Sequence, residues 1–307
     1  MITPFEHIEI LESNQFDENT ISLSIAKNQT PKVLLIRGLI GSLKYRNTFT
    51  QKEFAQTIDY FDLQNSNSAK PAITRLREYI SPDIDDELLG KIFQNKKFLY
   101  QNLQFFERLN NEFCNYYYYQ SKESYTTAFA FIYRILETIS YAFPLIYASK
   151  TDDFKGTYHF LKQCLTGDKE KGELGFFKSF IAVVFDKDPL KDSSITIEIN
   201  HESEEIQQYL FTAFKKACPD ENIFSPDTNE PDRLSVKFSE YSSFIICLRN
   251  RFFHLFNSGH PNLQSDDIMD ADSFFELVNA KSIYWISLVV LEILKHNIDK
   301  VDIEKAS

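Results

Sequence analysis

The spacing of apolar residues changes character along the chain. Over the first 90 residues they come in short, β-branched, partly alternating runs: HIEILES (7–13), TISLSIA (20–26) and KVLLIRG (32–38). Alternation places successive side chains on opposite faces of an extended strand, so three strands are predicted here. TQKEFAQTIDYF then opens with Thr50 and Glu53 at capping-box spacing, which predicts a helix start. The chain turns polar around residues 65–71. From about Gly90 the period lengthens to three and four, the signature of helices with one buried face. Leu99, Leu103, Phe106, Phe113 and Tyr117 fall near one stripe, and a long apolar helix is expected from about Tyr125 to Tyr147. DFKGTYHFLKQCL and GELGFFKSFIAVVF predict two shorter helices. Ile195, Ile197 and Ile199 alternate, predicting one strand in a small excursion, before a helix in HESEEIQQYLFTAFKKAC and a Pro- and Asp-rich loop. Two strong helices, about 234–258 and 272–298, close the chain. The fold class expected is mainly α: a helical domain over residues 91–307 behind a small α+β region at 1–90.

Composition narrows this picture. With 29 Phe and 16 Tyr among 307 residues a sizeable core is available, whereas only 8 Gly argue against Gly-rich phosphate loops. The four cysteines, Cys114, Cys164, Cys218 and Cys247, form no CxxC or CxxH pair, which reads as reduced thiols in a cytoplasmic protein with neither a zinc site nor a disulfide frame. MITPFEHIEIL lacks the basic start and apolar run of a secretory leader. Two apolar stretches invite a membrane reading, but Arg134, Glu137 and Pro144 interrupt one, and IYWISLVVLEIL in the other is too short to span a bilayer. Both are expected as core helices. No cofactor is implied.

The net charge is −11, which by itself disfavours a polyanionic partner. Its distribution matters more. Residues 184–233 hold 12 acidic and 5 basic side chains, a balance of −7, and are expected as a solvated acidic insertion. Residues 234–258 carry Lys237, Arg249 and Arg251 against Glu240, a balance of +2.

That late helix holds the most informative stretch, CLRNRFFHLFNSGHP (247–261). Gly259 and Pro261 suit a helix stop after Ser258. Phe238, Tyr241, Ile245, Leu248, Phe252 and Leu255 make a stripe for the core. At about 100° per residue, Ser243, Asn250, His254 and Asn257 gather on the opposite side, with Ile246 and Phe253 beside them. A face mixing apolar with uncharged polar groups suits a partner helix or a second copy of the chain. Asn250 and His254, four apart, are neighbours on a helix. Arg249 stands about 140° from His254, so only the length of its side chain brings the guanidinium near the imidazole.

Arg249-Asn250-x3-His254, on a helix late in a helical domain, resembles the R-x(4 to 6)-H motif of the HEPN superfamily, and FIYRILETI (131–139) is similar to the second helix of such domains. The resemblance covers residues 91–307. It implies a HEPN-type helical bundle that dimerises through the motif helices, and a metal-independent endoribonuclease of antiphage, abortive-infection or toxin systems, or of the CRISPR-associated ancillary nucleases. Phe256 stands where the minimal toxin subgroup has a tyrosine, which counts against that subgroup. In the implied reaction a ribose 2′-hydroxyl attacks the adjacent phosphorus, leaving a 2′,3′-cyclic phosphate. His254 exchanges the proton, Arg249 binds the non-bridging oxygens, and Asn250 orients the phosphate or holds the imidazole. RNA, such as tRNA or another structured RNA, is the implied partner. Residues 1–90 would take a regulatory protein or small-molecule trigger. The rival reading is a non-catalytic HEPN-like dimerisation or nucleotide-binding adaptor.

Other features have plainer readings. Arg134 and Glu137 are expected as an intrahelical ion pair, or as walls of the cleft. Arg251 is expected to be solvated or to face RNA. CNYYYYQ (114–120) could stack bases but suits packing better, and RGLIG (37–41) lacks the Lys-Ser/Thr of a phosphate loop. His7, His159, His201 and His296 show no ligand spacing.

Overall fold

The computed structural model describes residues 8–11, 30–62, 72–80, 85–140, 142–166, 177–186, 188–226, 230–254 and 262–301. It is mainly helical with two small sheets. It divides into two compact units: one comprises the chain up to Thr138 together with the part from Ile286 onward, the other Ile139–Trp285. The units therefore part elsewhere than at residue 90, and the boundary falls inside two helices.

In the first unit, β1 (Ile8–Leu11) is followed by α1 (Pro31–Leu39), β2 (Leu43–Asn47) and β3 (Glu53–Gln56). The strands form an antiparallel sheet in the order β1-β2-β3, with Tyr45 facing Ile10 on one side and Phe54 on the other. KVLLIRG is thus a helix and not the strand its β-branched residues suggest. Every residue of α1 is buried, and a helix covered on all sides carries no polar face to mark its period. Pro31 opens it at a position where its missing N–H costs nothing. Residues 20–26 lie outside the described residues.

The helix expected from Thr50 is replaced by a hairpin. Asn47 Oδ1 accepts from the backbone N–H of Phe49 (3.1 Å) and Thr50 (2.9 Å), so the turn satisfies the donors that a helix would have capped. After α1 the chain reverses at Gly41, whose φ is +73° and where a Cβ would sit 2.6 Å from the Thr57 backbone.

The first unit continues through α2 (Ala72–Ile80), α3 (Asp86–Gln94), α4 (Lys96–Tyr100), α5 (Leu103–Gln120) and most of α6 (Tyr125–Ser140). Asn102, at φ 57°, breaks α4 from α5. Phe106, Leu109, Phe113, Tyr116 and Tyr117 of α5 are buried, whereas Leu99 and Leu103 are only half-buried, so the α5 stripe begins later than its spacing suggests. α1 packs on α5. Lys32 on α1 is fully buried. Its ammonium donates to the carbonyl oxygens of Phe98 and Gln101 and lies 4.6 Å from the centre of the Phe106 ring. Burial pulls its pKa down to about 8.

The second unit holds α7 (Ala142–Lys150), α8 (Phe154–Thr166), α9 (Phe177–Val184), β4 (Ser194–Glu198), α10 (Glu204–Ala217), β5 (Arg233–Lys237), α11 (Tyr241–Phe253) and the start of α12 (Ala271–Asp299). The alternation at Ile195, Ile197 and Ile199 does produce a strand, with all three side chains buried. Its partner is β5, antiparallel, with Ile195 opposite Val236. The acidic stretch is therefore not a solvated insertion. Its carboxylates lie mostly on the outside while Leu210, Ala213, Phe214, Ala217 and Cys218 are buried. Phe214 stacks on Phe274 at 4.2 Å and meets Phe244 of α11 at 6.2 Å.

Among the described residues, two helices are long and apolar enough to cross a membrane by length and composition, 125–150 and Ala271–Asp299. The second outreaches the 12-residue run that seemed too short, because Phe274, Phe275 and Val278 extend it. Some 78% of its apolar window is buried within the fold, against 53% for the first.

Candidate functional site

The motif helix is shorter than its sequence pattern suggests. Leu234 and Val236 alternate as β5, a 3₁₀ turn at Phe238–Glu240 follows, and α11 begins at Tyr241. Its core face is Tyr241, Phe244, Ile245 and Leu248, all 0% exposed. Burying each such side chain is worth about 1.5–3 kcal/mol. Tyr241 stacks on Trp285 at 5.8 Å, and the Trp285 indole N–H donates to the Phe238 carbonyl at 2.9 Å, fixing where the helix starts. Toward the other end, Phe252 is half-buried and meets Phe275 edge-on at 4.9 Å.

α11 stops at Phe253. His254 has extended backbone angles (φ −108°, ψ 122°), and the returning chain covers the last turn: the Leu263 N–H donates to the Arg251 carbonyl at 3.0 Å, and the Asn262 amide donates to the His254 carbonyl. The i, i+4 helical relation expected of Asn250 and His254 is therefore lost, since His254 is off the helix. Leu255, Phe256, Asn257, Gly259, His260 and Pro261 lie outside the described residues.

The three motif side chains nevertheless meet. Arg249 Nη1 donates to Asn250 Oδ1 at 2.9 Å and also bonds His254 Nε2. A guanidinium has no acceptor, so Nε2 must accept. This set is tighter than a separation of about 140° around the axis suggests, because the extended turn after Phe253 brings the imidazole back toward the guanidinium. Asn250 holds the arginine, where the expectation was the phosphate or the imidazole. His254 is exposed, Arg249 and Asn250 are half-buried, and Phe253 beside them is 43% exposed. Ile246, the other apolar residue expected on that side, is half-buried.

Arg251 departs from its expected role. It is 7% exposed and therefore neither solvated nor free to meet RNA. Its guanidinium lies close enough to Cys247 and Cys218 to favour their thiolates, although burial dominates at Cys218 and pushes that thiol up.

Arg134 and Glu137 belong to the first unit. The ion pair Arg134 makes is not within its helix: its Nε and Nη2 each donate at 2.7 Å to the two carboxylate oxygens of Glu112 on α5. The Glu112 side chain is 3% exposed and that of Arg134 55%. The guanidinium fork matches the Glu112 carboxylate, and Glu137, one turn along the helix, adds a weaker coulombic attraction. Glu112 was missed in the sequence because its partner stands 22 residues along. The tyrosines of CNYYYYQ are packing groups, with Tyr117 stacked on Tyr60 (6.3 Å) and Tyr119 on Phe131 (5.4 Å). In RGLIG, Arg37 is buried and its guanidinium donates to Ser42 Oγ (2.6 Å) and the Ser42 carbonyl (2.8 Å). His201 Nδ1 accepts from the Ser203 N–H at the start of α10, His159 lies beside Tyr158, and His7 is outside the described residues.

No family model matches the chain, and comparisons with curated proteins and with solved structures likewise return no match.

Proposed function

We propose that this chain is a HEPN-type, metal-independent endoribonuclease that acts in the cytoplasm as a homodimer, in an antiphage or toxin setting. The observation that supports this reading is the hydrogen-bonded set of Arg249, Asn250 and His254 at the exposed end of α11. It joins a permanent cation to an imidazole that can take up and release a proton, on the motif whose spacing resembles that superfamily.

The bond between Arg249 and His254 gives the reaction an order. While Nη1 occupies Nε2, that nitrogen cannot take a proton. A bound phosphodiester would draw the guanidinium onto its non-bridging oxygens, where charge-assisted bonds are stronger than a bond to neutral imidazole. Nε2 is then free to accept the proton of the ribose 2′-hydroxyl as it attacks phosphorus. The 5′-oxygen departs with a proton, leaving a 2′,3′-cyclic phosphate. Asn250 Oδ1 limits how far the guanidinium swings. In a dimer, the second imidazole would supply the leaving-group proton.

Total tRNA incubated with the purified protein in EDTA tests this. Fragments with 2′,3′-cyclic ends that vanish in Arg249→Ala and His254→Ala, both still folded by circular dichroism, are the expected result. Undiminished cleavage by His254→Ala would remove the imidazole from the chemistry. A second reading, a non-catalytic adaptor that binds nucleotides or RNA, is favoured by the same Arg249–His254 bond, which blocks the base. It predicts RNA binding that weakens in Arg249→Ala, with intact RNA recovered throughout.

A further inference from the structure

Two of the four cysteines, 29 positions apart, come together beside the motif helix. Cys218 ends α10 and is 0% exposed; Cys247 lies in the middle of α11 and is half-buried. The two thiols are near enough for each to bear on the other's ionisation. Cys218 Sγ also lies 3.9 Å from the carbonyl oxygen of Phe244, one turn before Cys247, which holds the sulfur against this stretch of α11. α10 and α11 pack directly, so the two sulfurs belong to one interface and no segment must travel to join them.

We propose that Cys218 and Cys247 are a peroxide-oxidisable dithiol, with Cys247 the attacking sulfur and Cys218 the resolving one. The division of labour follows from position. Cys247 is the more open of the two, and Arg251, one turn further along α11, supplies a nearby positive charge. The neighbouring Cys218 thiol is the main influence that favours the Cys247 thiolate; burial opposes it, Arg251 assists, and Asp220 opposes more weakly. Cys218, sealed behind it, is pushed the other way by burial. Cys114 serves as an internal contrast, being buried with its pKa raised to about 12.

The chemistry balances with a hydroperoxide as oxidant. The Cys247 thiolate attacks the distal peroxide oxygen. The O–O bond breaks, an alkoxide or hydroxide leaves and takes a proton, and Cys247 becomes a sulfenic acid. Cys218 sulfur then attacks the Cys247 sulfur, the S–O bond breaks, and the departing hydroxide takes the Cys218 proton as water. Two thiols are oxidised to one disulfide while one peroxide is reduced. With α10 packed on α11 and Cys218 Sγ already against the turn of α11 before Cys247, side-chain rotation is the movement needed to reach the roughly 2.05 Å of a disulfide. This inference stands apart from the ribonuclease reading and does not depend on it.

The test uses the full-length protein treated with hydrogen peroxide, alkylated, digested without reduction and mapped by mass spectrometry. The expected product is a peptide pair joined through Cys218 and Cys247, lost on treatment with dithiothreitol, with Cys114 alkylated only after denaturation. Cys218→Ser should accumulate a dimedone-reactive sulfenic acid at Cys247 at least tenfold above wild type. Recovery of both thiols unmodified from peroxide-treated wild type would overturn the proposal. So would conversion of Cys247 to sulfinic acid without the cross-link. Because the wild-type measurement decides the matter, a variant that fails to fold leaves the result intact.

Discussion

Arg134 and Arg249 make a useful pair. Both sit on helices and are partly exposed, yet their hydrogen bonds run in different directions. Arg134 reaches across to α5 and grips a buried carboxylate with two parallel bonds, joining positions 22 residues apart. Arg249 bonds side chains one and five residues away, beside the exposed imidazole of His254. The first arrangement ties structure together; the second gathers functional groups at a surface. An arginine's role is read from the reach of its bonds more than from its motif.

Exchange of each arginine for alanine should pull the two apart. The largest effect expected is on RNA cleavage: Arg249→Ala should lower the rate by about 10²–10³-fold, the usual worth of a group that stabilises developing charge. Arg134→Ala should leave the rate per folded molecule within about threefold. Gel-based initial rates would show this, and equal losses would erase the distinction. Next comes stability. Arg134→Ala leaves the Glu112 carboxylate buried without its partner, a loss that reaches about 3–5 kcal/mol for sealed pairs; with half of the Arg134 side chain in water, about 2 kcal/mol is expected. Urea unfolding followed by circular dichroism measures it.

Lys32 extends the comparison to a cation with no route to water. Its folded pKa of about 8 lies below the ordinary 10.5, so between these values the unfolded chain holds a proton that the folded chain has lost. Stability should therefore rise as pH increases from about 8 toward 10. Its carbonyl bonds and aromatic contacts offset part of the burial cost, so the gain should be about 1 kcal/mol. Above pH 10 the buried phenols reverse the trend, because Tyr60 is held far above its usual range by burial. Unfolding midpoints at pH 7.5 and 9.5, compared with Lys32→Met, would reveal it; a slope unchanged in that variant would clear Lys32 of responsibility. No larger in effect, Arg249→Ala, which removes a half-buried side chain bonded to Asn250 and His254, should lower stability by about 1 kcal/mol.

How much of this was legible in the sequence depended on whether the signal was local. The alternation at Ile195, Ile197 and Ile199 gave a strand, and the three-four spacing of Tyr241, Ile245 and Leu248 gave the buried side of α11. α1 was hidden because full burial erases the polar face that identifies a helix. The Thr50–Glu53 spacing misled because Asn47, just upstream, satisfied the same backbone donors in a turn. The motif itself was readable, but not the break in α11 at Phe253, which depends on residues 262 and 263 returning to cover the last turn. Partners far along the chain were invisible: Glu112 for Arg134, and Cys218 for Cys247.

The short path from β5 into α11 has a mechanical consequence. Val236 is locked opposite Ile195, and only the three residues of the 3₁₀ turn separate the strand from the helix. The sheet thus works as a ruler whose zero mark sets the rotation of every later side chain. One residue inserted between Lys237 and Tyr241 would turn Arg249 by about 100° and slide it by about 1.5 Å, were the helix to keep its phase with the strand. The aim of the guanidinium is thus fixed a dozen residues upstream, by a ladder of backbone bonds that never touches it.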